Sequence, residues 1–130
     1  MLEAIEKIKI FVSKFNDAPS FFKADDQLYF HAVNSLLLAV GEESKKLEAE
    51  LKKGFEEIPW SAIAGMRNRL AHDYRGIDFN LVFSTATVEI PILKSVLIQM
   101  LKMIDFDKGE LKAALNSPFY SHISYLKDNQ

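Results

Sequence analysis

The 130-residue chain predicts an all-α fold, an up-and-down antiparallel helical bundle of four to five helices that pairs as a homodimer. Three observations carry that expectation. Apolar residues recur at intervals of three and four along most of the length, Gly and Pro number only 5 and 4, and no stretch alternates apolar with polar as a half-buried strand does. A chain of this size builds one hydrophobic core.

Leu2, Ile5, Ile8, Val12 and Phe15, with Glu3, Glu6, Lys7, Lys9 and Lys14 between them, predict a first amphipathic helix over residues 2 to 16. Asn16-Asp17-Ala18-Pro19-Ser20 reads as a turn, because Asn and Asp bond to nearby backbone and Pro cannot continue a helical ladder. A second helix starts between Ser20 and Ala24 and runs from Asp25 to Leu51, with Leu28, Ala32, Ser35, Leu36, Ala39 and Val40 in register and a charged end at Glu42, Glu43, Lys45 and Lys46. Its segment Leu36-Leu37-Leu38-Ala39-Val40 is apolar nearly all round, which places it at the bundle centre or against a second subunit and motivates the homodimer.

Gly54 ends the second helix, and Pro59-Trp60 starts a third, in which Trp60, Ile63, Ala64, Arg67, Leu70, Ala71 and Tyr74 share one face. Gly76 fits the left-handed position that closes a helix. A fourth helix begins at Asp78-Phe79, with Asp78 as its cap and Leu81, Val82, Thr85, Val88 and Ile92 inward. Pro91 kinks or restarts it before Leu93, Val96, Leu97, Met100, Leu101 and Ile104. A shorter helix from about Lys108 to Asn116 stops at Ser117-Pro118. One domain thus spans residues 1 to 117, and residues 118 to 130 read as a loosely ordered C-terminal tail.

The composition, 48% hydrophobic and 26% charged, is that of a compact folded chain. Absence of cysteine removes disulfides, thiolate nucleophiles and sulfur-ligated zinc, and fits a cytoplasmic location. Charged residues interrupt the apolar ones in MLEAIEKIKIF, so no signal peptide is read there, and the apolar runs look too short to cross a bilayer, so no membrane is expected among the partners. A formal charge of −2 excludes a broad basic coat for nucleic acid, which leaves only local contact with RNA. All three arginines, Arg67, Arg69 and Arg75, fall within nine residues while the 13 lysines are scattered, and the planar guanidinium fork suits phosphate. The bland alternative is a solvated helix face.

The segment from Arg67 to Tyr74 also holds Asn68, His72 and Asp73. An imidazole can take and give a proton near neutral pH, and a guanidinium can hold a phosphate and offset the charge that builds on it. On an ideal helix Arg67 and His72 stand about 140° apart, so both reach one phosphate only at the helix end or in a groove between two subunits. Arg67 and Tyr74, seven apart, share a face. Taken singly, such residues are more often structural: a capping histidine, a packing tyrosine, a solvated arginine. His31, His72 and His122 lie on three separate segments without zinc spacing, so no metal is implied. His31 reads as a packed or edge histidine, Asp73 as solvent-facing, and Glu42 either lines the site or begins the charged end of its helix.

The pattern Arg67-(four residues)-His72-Asp73-Tyr74 resembles the signature of HEPN domains. Pro59-Trp60, Gly65-Met66-Arg67-Asn68, Asp78 and, more weakly, Gly41-Glu42 extend the resemblance to the HepT-like toxin branch of that family over residues 1 to 106. The resemblance implies a dimeric helical bundle that cleaves RNA without metal or other cofactor, its two motif copies facing each other across the dimer interface. Carried onto this chain, it makes Arg67 the group that stabilises the scissile phosphate and His72 the acid or base, with Asn68 in support. Members of this branch pair with a minimal nucleotidyltransferase antitoxin that adds AMP units to a tyrosine, the position of Tyr74. RNA supplies its own nucleophile in the 2′-hydroxyl, so the residues present suffice for the chemistry. Two rivals are a non-catalytic helical dimer that binds a nucleotide or presents Tyr74 to the transferase, and a purely structural module. Retention of both Arg67 and His72 favours cleavage over the first of these, since a binding module needs no base.

Overall fold

In the computed structural model, which describes residues 1–70, 78–104 and 107–128, every regular element is helical. Helix α1 (Leu2–Val12) buries Ile5, Ile8 and Val12, the stripe its spacing predicts. The next segment differs from expectation, because Asp17-Ala18-Pro19-Ser20 opens a helix, α2 (Ala18–Lys23), instead of forming only a turn. The Asp17 carboxylate accepts from the Ser20 N–H at 2.8 Å, and Pro19 sits in the first turn, where its missing N–H costs nothing.

Helix α3 (Leu28–Ser44) follows a tight link, Ala24–Gln27, in which Asp25, Asp26 and Gln27 all have positive φ. The second helix is therefore cut at both ends relative to the sequence reading. At its C-terminus the buried Ser44 hydroxyl donates to the Gly41 carbonyl at 2.6 Å and so competes with the backbone ladder. A short α4 (Ala49–Lys53) then ends at Gly54 as predicted. Within α3, Leu37 and Val40 are fully buried by this chain's own helices, Leu36 and Leu38 are half-buried against the same core, and Ala39 faces solvent. The apolar segment is thus central to its own bundle.

The expected third helix is two, α5 (Trp60–Ala64) and α6 (Met66–Leu70), joined at Gly65. Asp78 caps α7 (Phe79–Ser84) as predicted, accepting from the Asn80 N–H at 2.9 Å. A π turn, Thr85–Glu89, leads without a break into α8 (Ile90–Met103), and the Ile90 N–H donates to the Thr85 carbonyl five residues back. That extra residue per turn resets the phase. Val88 and Ile92, expected inward, are 61% and 54% exposed, while Ala86, Ile90, Leu93, Val96 and Met100 are buried in their place. The turn ends just before Pro91, where a proline ring would otherwise meet the carbonyl of the preceding turn.

Because Pro91 does not break it, the rod Phe79–Met103 is continuous over 25 residues and holds an 18-residue window of mean hydropathy 1.7, long and apolar enough to cross a bilayer by length and composition. The sequence leads to a kink or restart at Pro91 and to apolar runs too short to cross a bilayer, whereas the helix runs through Pro91. In this fold its inward face fills the core against α1 and α3.

Helix α9 (Lys108–Leu115) is capped by Asp107, and the chain past Ser117 is not loose over its described part. Pro118–Lys127 forms 3-10 turns that bury Ile123 and Leu126 against Leu2, Leu101, Leu111 and Leu115. Tyr125 donates its hydroxyl to Glu6 at 3.2 Å, Glu6 pairs with Lys94 at 2.5 Å, and the Lys94 ammonium lies 5.3 Å from the Tyr125 ring centre. The order of the tail is not legible in the sequence because Ile123 and Leu126 are covered by Leu2 of α1 and Leu101 of α8 as well as by the neighbouring α9.

Candidate functional site

The arginine-bearing helix is positioned by a backbone contact. A Cβ placed on Gly41 of α3 would stand 2.8 Å from the Ile63 carbonyl oxygen and 3.3 Å from the Met66 Cβ, so α3 touches the α5–α6 junction where no side chain fits between them. Roughly three turns earlier on α3, Phe30 packs edge-on to Phe22 at 5.1 Å, and Phe22 stacks on Phe79 at 4.5 Å. Met66 thus stands at the level of Gly41, and Phe79 at the level of Phe30.

On α6, Met66 and Leu70 are each 2% exposed, and the three residues between them, Arg67, Asn68 and Arg69, all face solvent. This corrects the expected face. Gly65 accepts from both Asn68 and Arg69 N–H groups, at 3.0 and 3.2 Å, and this tightened turn rotates the stripe so that Met66, not Arg67, follows Ile63 inward. For phosphate chemistry the correction is favourable, because a guanidinium in the inward stripe would be desolvated. Among the described residues no carboxylate lies within ion-pair distance of Arg67 or Arg69.

Glu42 is half-exposed and pairs with Lys45 on its own helix at 3.0 Å, so it begins the charged end of α3 and does not meet Arg67. His72, Asp73, Tyr74, Arg75 and Gly76 lie outside the described residues. His31 is half-buried, edge-on to the Phe30 ring at 5.2 Å, as an edge histidine would be, and His122 is exposed on the 3-10 segment. Among the described residues no three His, Asp or Glu side chains gather as metal ligands would.

One residue escaped the sequence reading. The Asn34 Oδ1 on α3 is buried and accepts no hydrogen bond among the described residues, although an orphaned carbonyl oxygen in the interior normally finds a donor. Asn34 lies one turn after Phe30 and two before Gly41, on the same side of α3. A polar residue inside an otherwise apolar helical stripe is the signal that could have found it.

Comparison with known proteins decides the family. A family model described as Ribonuclease HepT-like matches residues 1–100. The chain belongs to the ribonuclease HepT-like family. The matched region runs from α1 into α8 and includes Gly41, Gly65, Arg67 and Asn68, whereas α9 and the Pro118–Lys127 segment lie beyond it. Similar proteins include two provisionally named RNases of Methanocaldococcus jannaschii, MJ1216 and MJ0125. They are 36% and 35% identical over 75 residues, which is 58% of this chain and 62% and 65% of theirs. The chain thus spans somewhat under two thirds of the length of those two relatives. A protein named "Probable ribonuclease HepT" from Thermococcus cleftensis is 36% identical over 94 residues, 71% of this chain and 81% of that one. No solved structure matches the chain at a significant level.

Proposed function

We propose that this HepT-like chain is a metal-independent endoribonuclease toxin that works as a homodimer in the cytoplasm, cutting RNA by attack of the 2′-hydroxyl on the adjacent phosphate. Arg67 holds the scissile phosphate and stabilises the phosphorane, and His72 moves the proton. Asn68 supports them, and Arg69 and Arg75 add phosphate contacts. The observation that carries the reading is the exposed Arg67 and Arg69, without a carboxylate partner among the described residues, on a helix locked by Gly41 within the region the family covers. A nucleotidyltransferase antitoxin silences the site by adding AMP to Tyr74, which places a phosphodiester anion where the substrate phosphate binds.

Incubation of the purified chain with end-labelled RNA in excess chelator tests the chemistry. Cleavage should proceed, and Arg67→Ala and His72→Ala should each slow it by about 100-fold or more with the helical signal unchanged. Cleavage that vanishes with chelator and returns with magnesium overturns the metal-free mechanism. With ATP and the transferase, wild type should gain AMP-sized mass and fall silent, whereas Tyr74→Phe should do neither.

A further inference from the structure

The link between α2 and α3 is where the backbone and the sequence disagree most. Asp25, Asp26 and Gln27 have φ of 46°, 54° and 70°, and none of them is glycine. L-residues visit this left-handed region singly, Asp more readily than Gln, and a run of three is strained at each step.

The sequence through the link is otherwise that of one helix. From Ala18 to Ser44 the only Pro is in the first turn, and the only Gly is Gly41. Ala18, Phe21, Phe22, Leu28, Tyr29, Ala32, Leu36 and Val40 fall at spacings of three, four and seven that make a single stripe if residues 25–27 turn right-handed. In the bent form that stripe is broken, and Leu28, seven residues after Phe21, is 59% exposed.

Straightening cannot happen in isolation. The N-terminal arm, residues 1–24, supplies Ile5, Ile8, Val12 and Phe21 to the core, all buried, and Phe22 stacks on Phe79 of α7. An arm swung into water would expose all of these, so its burial has to be restored by an equivalent body. A second copy of this chain offers one. We propose that residues 25–27 are a hinge through which two copies exchange their arms: the link relaxes into a continuous helix over Ala18–Ser44, and each α1–α2 arm packs on the partner's α3, α7 and α8. The exchanged dimer repeats every arm-to-body contact of the closed chain and sheds the left-handed run. The proposal stands independently of the RNA chemistry and of any pairing between closed chains.

The test uses hinge variants and an ion pair that joins arm to body. Asp25→Ala, Asp26→Ala, Gln27→Ala together penalise the left-handed link and favour helix, whereas glycine at the same three positions removes the strain and keeps the bend. By sedimentation equilibrium the alanine variant should dimerise at least about 100-fold more tightly than the glycine variant, since six left-handed residues are relieved per dimer and each is worth up to about tenfold. Isotope-labelled and unlabelled chains are then unfolded together, refolded at high concentration, and treated with a zero-length carbodiimide that couples Glu6 to Lys94, 2.5 Å apart. In the isolated dimer about half of the coupled Glu6–Lys94 peptides should join one labelled and one unlabelled partner. Equal association by the two variants overturns the hinge, and a dimer whose coupled peptides are all unmixed shows side-by-side closed chains and overturns the exchange. If the alanine variant does not fold, the same comparison between wild type and the glycine variant decides, with mixed peptides expected from wild type and far fewer from glycine.

Discussion

Gly41→Ala should weaken the fold and the proposed RNA site together, against the ordinary expectation for a helix. In an open helical interior, Gly to Ala gains about 1 kcal/mol. At Gly41 the new methyl would lie 2.8 Å from the Ile63 carbonyl oxygen, roughly half an ångström inside ordinary contact, and that oxygen belongs to a backbone packed beneath a residue only 7% exposed. No rotamer change can clear it, so α3 and the α5–α6 junction must part. Overpacking of this kind costs about 1–3 kcal/mol, which leaves a net loss on the order of 1 kcal/mol and shifts Arg67 by a similar fraction of an ångström. A displacement of about 1 Å can cost 100-fold in rate, so a loss of about tenfold in cleavage is expected. Urea titration at constant slope reads the first quantity, and initial rates on labelled RNA read the second. Gly54→Ala is the control, because its nearest neighbour is 3.6 Å from the added Cβ and its φ of −73° suits alanine. It should be neutral or stabilise by up to about 1 kcal/mol. A Gly41→Ala protein more stable than wild type and fully active would refute the close-contact argument.

Asn34→Leu should raise stability by about 1–2 kcal/mol in thermal or urea unfolding, because it removes a buried oxygen without a donor and keeps the volume; a loss would mean that the amide is satisfied in solution. Lys94→Ala leaves the Glu6 carboxylate, 12% exposed, without its cation and should cost about 2–3 kcal/mol, more than Glu6→Gln, and a smaller effect would show Glu6 reaching water. Burial first, and the Glu6 charge and hydrogen bond after it, push the Tyr125 hydroxyl from 10.0 up to about 12. The folded state therefore holds this proton more tightly than the unfolded chain, so the stabilisation is complete below pH 10 and lost as pH rises through 12. The gap in melting temperature between wild type and Tyr125→Phe should stay constant up to about pH 9 and shrink above it; a gap that widens would reverse the sign.

Elements whose cause is local were legible in the sequence. The stripe of α1, the Asp78 cap and the stop at Gly54 each depend on residues within a turn or two. Features that answer to distant contacts were not. The Asp25–Gln27 link bends because Phe21 and Phe22 are held against Phe30, Phe79 and Phe83, and the 3-10 tail is ordered by α1 and α8. Phase errors explain the rest, since one glycine at Gly65 and one π turn at Thr85–Glu89 each turn the next stripe to a different face. For the candidate site, residue types and spacing single out Arg67, Asn68 and Arg69, but the spacing puts Arg67 on the inward stripe, whereas it faces solvent. Gly41 entered only as part of a weak resemblance, its packing role being visible only once two helices are placed together.

The π turn also bears on how the chain tolerates loss of a residue. Deleting a residue from a core helix normally rotates everything downstream by about 100° and turns the core side outward. Within Thr85–Glu89 the helix already carries one residue more than an α turn needs, and Val88, 61% exposed, contributes little packing there. Removing Val88 would let the ladder close in α register while Ile90, Leu93, Val96 and Met100 keep their places. Pro91 would then stand without its relief, so the shortened helix is expected to accept the deletion gracefully only when Pro91→Ala accompanies it. This stretch is thus a one-residue reserve in the reading of the helix, a place where chain length can drift while the core does not.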